Sequence, residues 1–324
     1  MGLNVAYLTK FIIAVLGLVF YCEFLIYYLV LLQCWWPQLD PNRIDHTIHL
    51  RQDEQPVRAL LLADTHLLGS RKGHWFDKLR SEKEFAYYVN RFNDLFRVSE
   101  GSQMFVVVGN HDVGFHYGIS PYLHERFSSA FDAQSVRLVS VKGNHFVLVN
   151  SMAMEGRLKC TKGVGRCDRG MDLSQYSRPI LLQHFPMYRE SDAECNEPDQ
   201  APEDEKTQKF RERWECLSKE SSDQLFDILK PRLIVTGHTH HGCHRIHRED
   251  IHEWTLPSFS WRNKDNPSFM LAVFTPNNYA VSKCPMPQES TVIWLYLLGT
   301  VLIIMWITLT YRRMCRRSRW FKTN

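Results

Sequence analysis

Two long apolar segments lie near the ends of the chain, and a more polar region of mixed pattern separates them. Phe11–Leu32 is interrupted only by Glu23, and Thr291–Thr310 carries no charged residue. A helix needs about 20 apolar residues to cross a bilayer, where no water can satisfy the backbone. Both segments therefore predict transmembrane helices, the first a signal anchor because it is too long for a cleaved signal peptide. Glu23 either pairs with a partner or lies in a kinked or tilted part of the span.

Charges beside the second apolar segment predict the orientation in the membrane. Six basic residues and no acidic residue follow Thr310, and such clusters stay in the cytosol. We predict a cytosolic N terminus with a transmembrane helix at 1–36, a lumenal domain at 37–290, a transmembrane helix at 291–310 and a basic cytosolic tail at 311–324. The charge of the lumenal domain is nearly balanced, which argues against nucleic-acid binding.

The lumenal domain alternates short apolar runs with segments of helical spacing, which is typical of an α/β fold. The predicted strands are Arg58–Ala63, Met104–Val108, His145–Asn150, Pro179–Gln183, Arg232–Thr236 and Phe269–Phe274. The continuous apolar character of the first run predicts a strand that is buried on both faces. Apolar residues at helical spacing predict helices at Glu82–Arg97 and Leu217–Leu229.

Side chains that can bind metal ions follow four of these strands. They are Asp64, His66, Asn110, His184, His238 and His240. Functional loops gather at the carboxyl ends of strands in α/β sheets, so we expect these side chains to lie close together. Oxygen and imidazole donors of this kind suit manganese, iron or zinc. Two such ions about 3.5–4 Å apart would each bind a phosphate oxygen and activate a water between them.

The order of these motifs matches a known family. Asp64-x-His66, Gly109-Asn110-His111-Asp112, His184 and Gly237-His238-x-His240 resemble the calcineurin-like metallophosphoesterase superfamily over roughly 57–275. The resemblance implies a metallophosphoesterase-type α/β fold, a β-sandwich flanked by helices, between the two transmembrane helices. It implies a hydrolase of phosphoric esters that uses two divalent metal ions, with manganese as the expected metal.

The resemblance also implies a role for each site residue. One metal would be held by Asp64, His66 and His240, and the other by Asn110, His184 and His238. His111 would protonate the leaving oxygen or stabilise the developing charge. The alternative for His111 is a turn residue that is hydrogen-bonded to the backbone.

The two flanking spans and the run 256–263 resemble more closely the superfamily members that remodel GPI anchors in the early secretory pathway. This resemblance implies a phosphodiesterase that removes ethanolamine phosphate from the GPI glycan and so aids ER-to-Golgi transport. The expected substrate is a GPI-anchored protein or GPI glycolipid, and trafficking receptors are the expected further partners. The expected locations are endoplasmic reticulum exit sites, the ER-Golgi intermediate compartment and the Golgi.

One superfamily motif has no counterpart in this chain. The family carries Gly-Asp-x-x-Asp between its first and third motifs, and the first Asp bridges both metals. No Gly-Asp pair lies between His66 and Gly109, and neither Asp77 nor Asp94 ends an apolar strand. We therefore predict that one strand and its metal loop are missing, and that this chain holds at most about one metal. Two hypotheses follow: a phosphodiesterase, or a catalytically impaired membrane protein that keeps the fold and binds GPI-anchored cargo or a trafficking partner.

Six cysteines lie in the lumenal domain, and six can pair in 15 ways in an oxidising compartment. Spacing favours Cys160 with Cys167 and Cys195 with Cys216, without deciding between these and other pairings. Three further histidines follow the last motif and are predicted to be loop residues and not metal ligands. They are His241, His244 and His247.

Overall fold

The computed structural model describes residues 5–46, 48, 55–66, 81–114, 119–155, 178–262 and 264–323. Two β-sheets pack face to face, and helices cover the outer face of the larger sheet. The strands of the described residues are β1 (Val57–Leu61), β2 (Val136–Val141), β3 (Asn144–Val149), β4 (Ile180–Gln183), β5 (Leu233–Thr236), β6 (Cys243–His247), β7 (Ile251–Thr255), β8 (Ser268–Thr275) and β9 (Asn278–Pro285).

The larger sheet has six strands in the order β2-β3-β4-β5-β7-β6. Strands β3, β4, β5 and β7 are parallel, and the two edge strands are antiparallel to their neighbours. The sequences of β4 and β5, Ile-Leu-Leu-Gln and Leu-Ile-Val-Thr, are almost wholly buried. Continuous apolar runs of this kind suit parallel strands that are covered on both faces. The strands predicted around 145–150, 179–183 and 232–236 are thus present, with small changes at their ends.

The smaller sheet has three antiparallel strands in the order β1-β8-β9. Every residue of the central strand β8 is buried. Its inner face, which includes Met270 and Phe274, packs against Ile180 and Leu233 of the larger sheet. The predicted α/β fold with a β-sandwich flanked by helices is therefore confirmed.

Helices complete the fold, and several begin at a serine cap. They are α1 (Val5–Phe20), α2 (Ile26–Leu31), α3 (Glu82–Leu95), α4 (Asn110–Val113), α5 (Pro121–Phe131), α6 (Ser151–Glu155), α7 (Glu203–Lys206), α8 (Lys219–Leu229) and α9 (Glu289–Thr323). The Ser120 and Ser218 side chains accept from backbone N–H groups of the first turns of α5 and α8, which satisfies groups that a helix leaves unpaired. Phe127 of α5 and Leu225 of α8 pack on the outer face of the larger sheet.

The segment predicted as a strand at Met104–Val108 is extended but is not a strand. Phe105 and Val107 pack into the core between the sheets, whereas Val106 and Val108 pack into the core beneath the helices. This alternation is that of a strand, yet no residue of the segment forms a ladder with another described residue. A strand needs a neighbour that completes its backbone hydrogen bonds, and no strand of the described residues lies beside this segment.

The prediction that the first strand is buried on both faces is also wrong. Strand β1 alternates between half-buried and exposed residues, and Leu60 is 54% exposed. Among the described strands, β1 pairs only with β8 and forms the edge of the smaller sheet. An edge strand of a sheet that is covered on one face shows this alternation. The apolar run at Arg58–Ala63 therefore does not mark a central strand.

The terminal helices are long and apolar enough to cross a membrane, as the sequence predicts, and they pack against each other. A Cβ atom on Gly299 of α9 would lie 2.5 Å from Leu18 of α1, so glycine allows the close approach. The Tyr296 hydroxyl donates to Glu23 Oε1 over 2.6 Å, and Glu23 lies in a π-helical turn, Tyr21–Leu25, between α1 and α2. The alternative that Glu23 pairs with a partner is therefore confirmed, and the residue also lies where the helix is irregular.

The cysteine pairing differs from the one that spacing favours. Cys195 bonds to Cys243 at the start of β6, while Cys216 is a buried thiol that donates to the Arg189 carbonyl. The loop that carries Cys195 folds onto β6, where the Gly242 N–H donates to the Asp199 carbonyl over 2.8 Å. This contact between distant segments decides the pairing. Cys160 and Cys167 lie outside the described residues.

Candidate metal centre

The six predicted ligands lie together at one end of the sandwich. Asp64 and His66 follow β1, His184 follows β4, and His238 and His240 follow β5, while Asn110 is the first residue of α4. The ends of β4 and β5 are adjacent because those strands are parallel neighbours. The rigid sheets therefore fix where each of these loops begins.

The first group of ligands is built around one carboxylate. Asp64 Oδ1 lies 3.9 Å from His66 Nε2 and 3.4 Å from His240 Nε2. One ligand atom from each of the three residues lies within 4.8 Å of the others. A single metal ion needs ligand atoms that surround it at about 2.0–2.2 Å, and small side-chain adjustments would provide this. The donor set fits a divalent ion.

The second group is centred on His184. Its Nε2 atom lies 2.9 Å from Asn110 Oδ1, and its ring centroid lies 5.1 Å from that of His238. His238 Nε2 donates to the Trp214 carbonyl over 2.6 Å. Because a carbonyl oxygen only accepts, the proton is on Nε2 and the lone pair of the neutral ring is on Nδ1. The second group thus offers an amide oxygen and two imidazoles.

Four of the ligands have a left-handed backbone, which side chains other than glycine rarely adopt. The φ angles are 48° at Asp64, 41° at His66, 75° at His238 and 62° at His240. Such residues cost of order 1 kcal/mol or more each and persist where the surrounding structure holds them. The His238 N–H donates to Asp64 Oδ2 over 2.8 Å, which ties two of these turns together.

Gly237 allows the closest approach of the two turns. A Cβ atom at this position would lie 2.8 Å from Ala63 Cβ and 2.8 Å from Asp64 Oδ2. Real Cβ atoms do not approach other atoms this closely, so the loop after β5 needs a glycine at this position. The Gly-His-x-His motif therefore starts with glycine for a steric reason.

Ser258 contacts two of the predicted ligands, and no motif in the sequence singles it out. Its hydroxyl donates to the Asp64 carbonyl over 2.8 Å and lies 3.2 Å from His66 Nδ1. Since the hydroxyl proton is used, Ser258 Oγ accepts from Nδ1, and the lone pair of His66 is on Nε2, which faces Asp64. Partners of this kind orient metal-binding histidines. The sequence pointed to Ser258 only as a member of the run 256–263, which carries part of the resemblance.

Burial lowers the pKa of the imidazoles of His66, His184 and His238 and so keeps them neutral. It lowers the pKa of His66 to about 4 and that of His238 to about 3, with smaller opposing and supporting effects from neighbours. Burial alone would raise the pKa of Asp64, but the imidazoles of His184, His240 and His66 outweigh it, and the net pKa lies below the usual range. A carboxylate beside neutral imidazoles is the protonation state that metal binding requires.

His111 lies on the short helix α4, next to Asn110. Burial, and then the neighbouring His184 and His66, lower its pKa to about 4. The ring is therefore neutral near pH 7. A neutral ring can donate a hydrogen bond to the developing charge, whereas protonation of the leaving oxygen would need an imidazolium. Asp112 Oδ2 accepts from the Gly109 N–H over 2.7 Å, so this carboxylate serves to cap α4.

The remaining candidates lie away from the ligands or outside the described residues. His244 and His247 lie on strand β6 and not in a loop, 2.8 Å from His252 Nδ1 and 2.7 Å from Glu253 Oε2 respectively. The pairing of β6 with β7 places them there, which corrects the prediction. His241 is in a loop, and its Nε2 lies 3.2 Å from Glu205 Oε2. Asp94 is exposed on α3 and lies 3.5 Å from Arg97. Asp77 is not among the described residues.

Comparison with known proteins agrees with this geometry. The family model for calcineurin-like phosphoesterases matches residues 45–242. The Gallus gallus protein named Metallophosphoesterase 1 is 38% identical to this chain over 93% of this chain and 89% of its own length. The Macaca fascicularis protein of the same name is 39% identical over 94% of this chain and 90% of its own length. The Danio rerio protein of that name is 37% identical over 97% of this chain and 94% of its own length.

The lengths of these alignments contain a further fact. The alignment with the Gallus gallus protein has 358 positions, but 93% of 324 residues is about 301. About 57 positions are therefore filled by residues of the relative with no counterpart in this chain. A solved structure of vacuolar protein sorting 29 from Cryptosporidium parvum covers 72% of this chain at 13% identity with a TM-score of 0.29, a similarity too low to indicate a function.

Proposed function

Because the chain belongs to the calcineurin-like phosphoesterase family, we propose that it is a metal-dependent phosphodiesterase that removes ethanolamine phosphate from the GPI-anchor glycan. The observation that carries this proposal is the convergence of both ligand groups on Asp64. Its Oδ1 atom lies within 3.9 Å of Nε2 of His66 and of Nε2 of His184. Strands far apart in sequence thus bring one carboxylate and four histidines to one place.

The residues present fit a divalent ion, and manganese is the metal we propose. Asp64, His66 and His240 would hold it, and Asn110, His184 and His238 are the ligands for a second ion. A bound ion would supply a Lewis acid for a phosphoryl oxygen and lower the pKa of water. His111 would donate a hydrogen bond to charge that develops on the phosphate. Arg262 is close enough to His66 to lower the pKa of that imidazole, and its charge favours an anionic substrate.

The proposed substrate is a GPI-anchored protein or a GPI glycolipid, and the proposed partners include trafficking receptors. Trp261, three positions after Ser258, packs against both terminal helices, and this nearness of the site to the helices supports a substrate that is attached to a membrane. The Cys195–Cys243 disulfide supports a lumenal domain, because disulfides persist in oxidising compartments. We propose a two-pass topology with cytosolic termini and residence in the endoplasmic reticulum exit sites, the intermediate compartment and the Golgi.

A second candidate is a catalytically impaired form that binds the same partners. In the described part of 81–114, the aspartates are Asp94, which is exposed on α3, and Asp112, which caps α4. We therefore assign neither as a bridge between two metals. The positions that the relatives fill and this chain lacks support the absence of a strand and its Gly-Asp-x-x-Asp loop. The fold would persist while the rate falls.

Cells that lack the endogenous activity separate the two candidates. The full chain is expressed in them, and the GPI glycan of a reporter protein is analysed by mass spectrometry. Loss of one ethanolamine phosphate per glycan supports the phosphodiesterase, and the His240→Ala variant is the matched control. A glycan that keeps the group, with the reporter still co-purifying with the chain, supports the impaired form. A glycan that keeps the group without co-purification contradicts both.

A further inference from the structure

A short segment connects the metal centre to the terminal helices. At its first end, Ser258 is bonded to the Asp64 carbonyl and to His66, and it is 1% exposed. The next residue, Phe259, donates its backbone N–H to the Ala63 carbonyl over 2.8 Å. Two consecutive residues thus hold the turn that carries two metal ligands.

The other end of the segment is held by the helices. Trp261 packs against Ile26 of α2 and Val292 of α9, and its ring centroid lies 6.2 Å from that of Tyr27. Its Nε1 donates to the Pro287 carbonyl over 2.8 Å, just before α9 begins. Trp261 therefore contacts both terminal helices at once.

The connection continues beyond Trp261 to the start of α9. The Ser290 backbone N–H and hydroxyl donate to the two carboxylate oxygens of Asp265, each over 2.6 Å. The Glu289 N–H donates to the Asp265 carbonyl over 3.1 Å. The first turn of α9 is thus capped by the same stretch of chain that orients His66, so a shift of the helix pair would move both.

We infer that Trp261 is a positioning residue for the metal centre: the paired terminal helices, through Trp261 and Ser258, hold the His66 imidazole in its metal-binding orientation. This inference rests on the metal site proposed above. Only two residues, Phe259 and Ser260, lie between Ser258 and Trp261. Hydrogen bonds hold both ends of this short segment, so a movement of the helices would reach the His66 ring. The helices therefore act as a part of the site and not only as an anchor.

The test uses the full chain in detergent micelles, with Mn²⁺ as the probe. Manganese affinity is measured by equilibrium dialysis, and hydrogen exchange is followed in peptides that cover 62–66 and 256–262. The variants are Trp261→Ala, Trp261→Phe, Ser258→Ala and the double variant of Ser258→Ala with Trp261→Ala. Trp294→Ala is the matched control, because this tryptophan lies on α9 and is 70% exposed.

Trp261→Ala is expected to weaken manganese binding about tenfold, the lower end of the effect of losing a partner that orients a ligand, and to speed exchange at 62–66 about tenfold, while Trp294→Ala changes neither. Trp261→Phe keeps the ring packing and loses the bond to Pro287, so it should fall between, and it decides the question if the alanine variant does not fold. The double variant should bind no more weakly than Ser258→Ala, because Trp261 acts through Ser258.

Unchanged affinity and exchange in Trp261→Ala would overturn the inference, as would additive losses in the double variant. If the unmodified chain binds no manganese, the proposed function fails. The exchange of 62–66 then still decides whether Trp261 holds the turn at Asp64. That role would be contradicted if hydrogen exchange at 62–66 were no faster in Trp261→Ala than in Trp294→Ala.

Discussion

Asp64 Oδ1 lies 3.9 Å from His184 Nε2, so a carboxylate of the first ligand group reaches a histidine of the second. The same oxygen is 3.4 Å from His240 Nε2. Without an additional bridging carboxylate, Asp64 is the anion that the two groups share among the described residues. This relationship makes the site compact, and it limits how much positive charge the site can hold.

Substitution of the central ligands tests the assignment directly. His184→Ala and His238→Ala should each reduce the manganese content of the full chain, because each removes a donor from the cluster that shares Asp64. His244→Ala should leave it unchanged, since this ring stacks on Trp254 of β7. Metal analysis after dialysis measures the result. Equal loss in all three variants would show that the ligand assignment is wrong.

The free energy of unfolding of the metal-free protein should decrease as the pH is lowered from about 6.5 toward 4. The pKa of His66 is lowered to about 4 and that of His238 to about 3 by burial. Below the ordinary pKa of about 6.5, the unfolded chain binds protons that the folded chain does not, so the free energy of unfolding decreases as the pH falls. The contribution is complete above about pH 6.5 and is lost progressively toward pH 4.

Unfolding in denaturant with a chelator present, at pH 7.5 and at pH 5, measures this effect. The midpoint should be lower at pH 5, and the difference should shrink in the His66→Gln variant. The lowered pKa of Asp64 acts in the same direction but at more acid pH. A midpoint that is equal or higher at pH 5 would contradict the prediction.

Gly237→Ala should destabilise the protein and weaken the site. The added Cβ would meet Ala63 Cβ and Asp64 Oδ2 at 2.8 Å, and overpacking of this kind costs about 1–3 kcal/mol. Gly17→Ala is the control, because nothing lies within 4 Å of a Cβ at this helical position. Thermal unfolding compares the two. A Gly237→Ala protein as stable as the control would show that the two turns have room to separate.

The sequence predicts local features of this fold well and long-range ones poorly. The apolar runs of β4 and β5 and the donors that follow them could be identified, because burial on both faces leaves a clear pattern. The absence of strand pairing at 104–108 among the described residues could not be predicted. Its side chains alternate as in a strand, but the backbone hydrogen bonds of a strand depend on a neighbour. The disulfide partner of Cys195 likewise depends on where β6 lies.

The candidate site shows the same division. Its metal donors are recognised by type and spacing, but Ser258 is 192 residues from His66 in sequence, and a serine has no distinctive chemistry of its own. Its role depends on two loops that meet in space. Residues that orient ligands are for this reason harder to predict than the ligands themselves.

Both termini should face the cytosol. The basic cluster after Thr310 motivates this prediction, since Arg and Lys beside a span are retained on the cytosolic side, and both terminal helices are apolar enough to cross a membrane. Tags at each end should be digested by protease in sealed microsomes, while the domain that contains the Cys195–Cys243 disulfide is protected. A protected C-terminal tag would contradict the topology and the lumenal assignment together.

As it stands, the chain should bind about one divalent ion and hydrolyse a generic phosphodiester slowly. Two dications a few ångströms apart repel strongly in a partly buried site, and Asp64 is the carboxylate among the described ligands that can offset that repulsion. Insertion of a relative's strand and Gly-Asp-x-x-Asp loop between Leu79 and Glu84 should add a bridging carboxylate and give the extended segment 104–108 a neighbour to pair with. Both metal stoichiometry and rate should therefore rise.

The comparison is manganese content and bis-nitrophenyl phosphate turnover of the full chain with and without the insert. An insert in which alanines replace both aspartates is the matched control, because it restores the strand without the bridge. That control should recover stability but not the second metal. If the unmodified chain already holds two metals and turns over as fast as the restored one, another carboxylate acts as the bridge, and Asp77 and Asp94 are the first to test by substitution with asparagine.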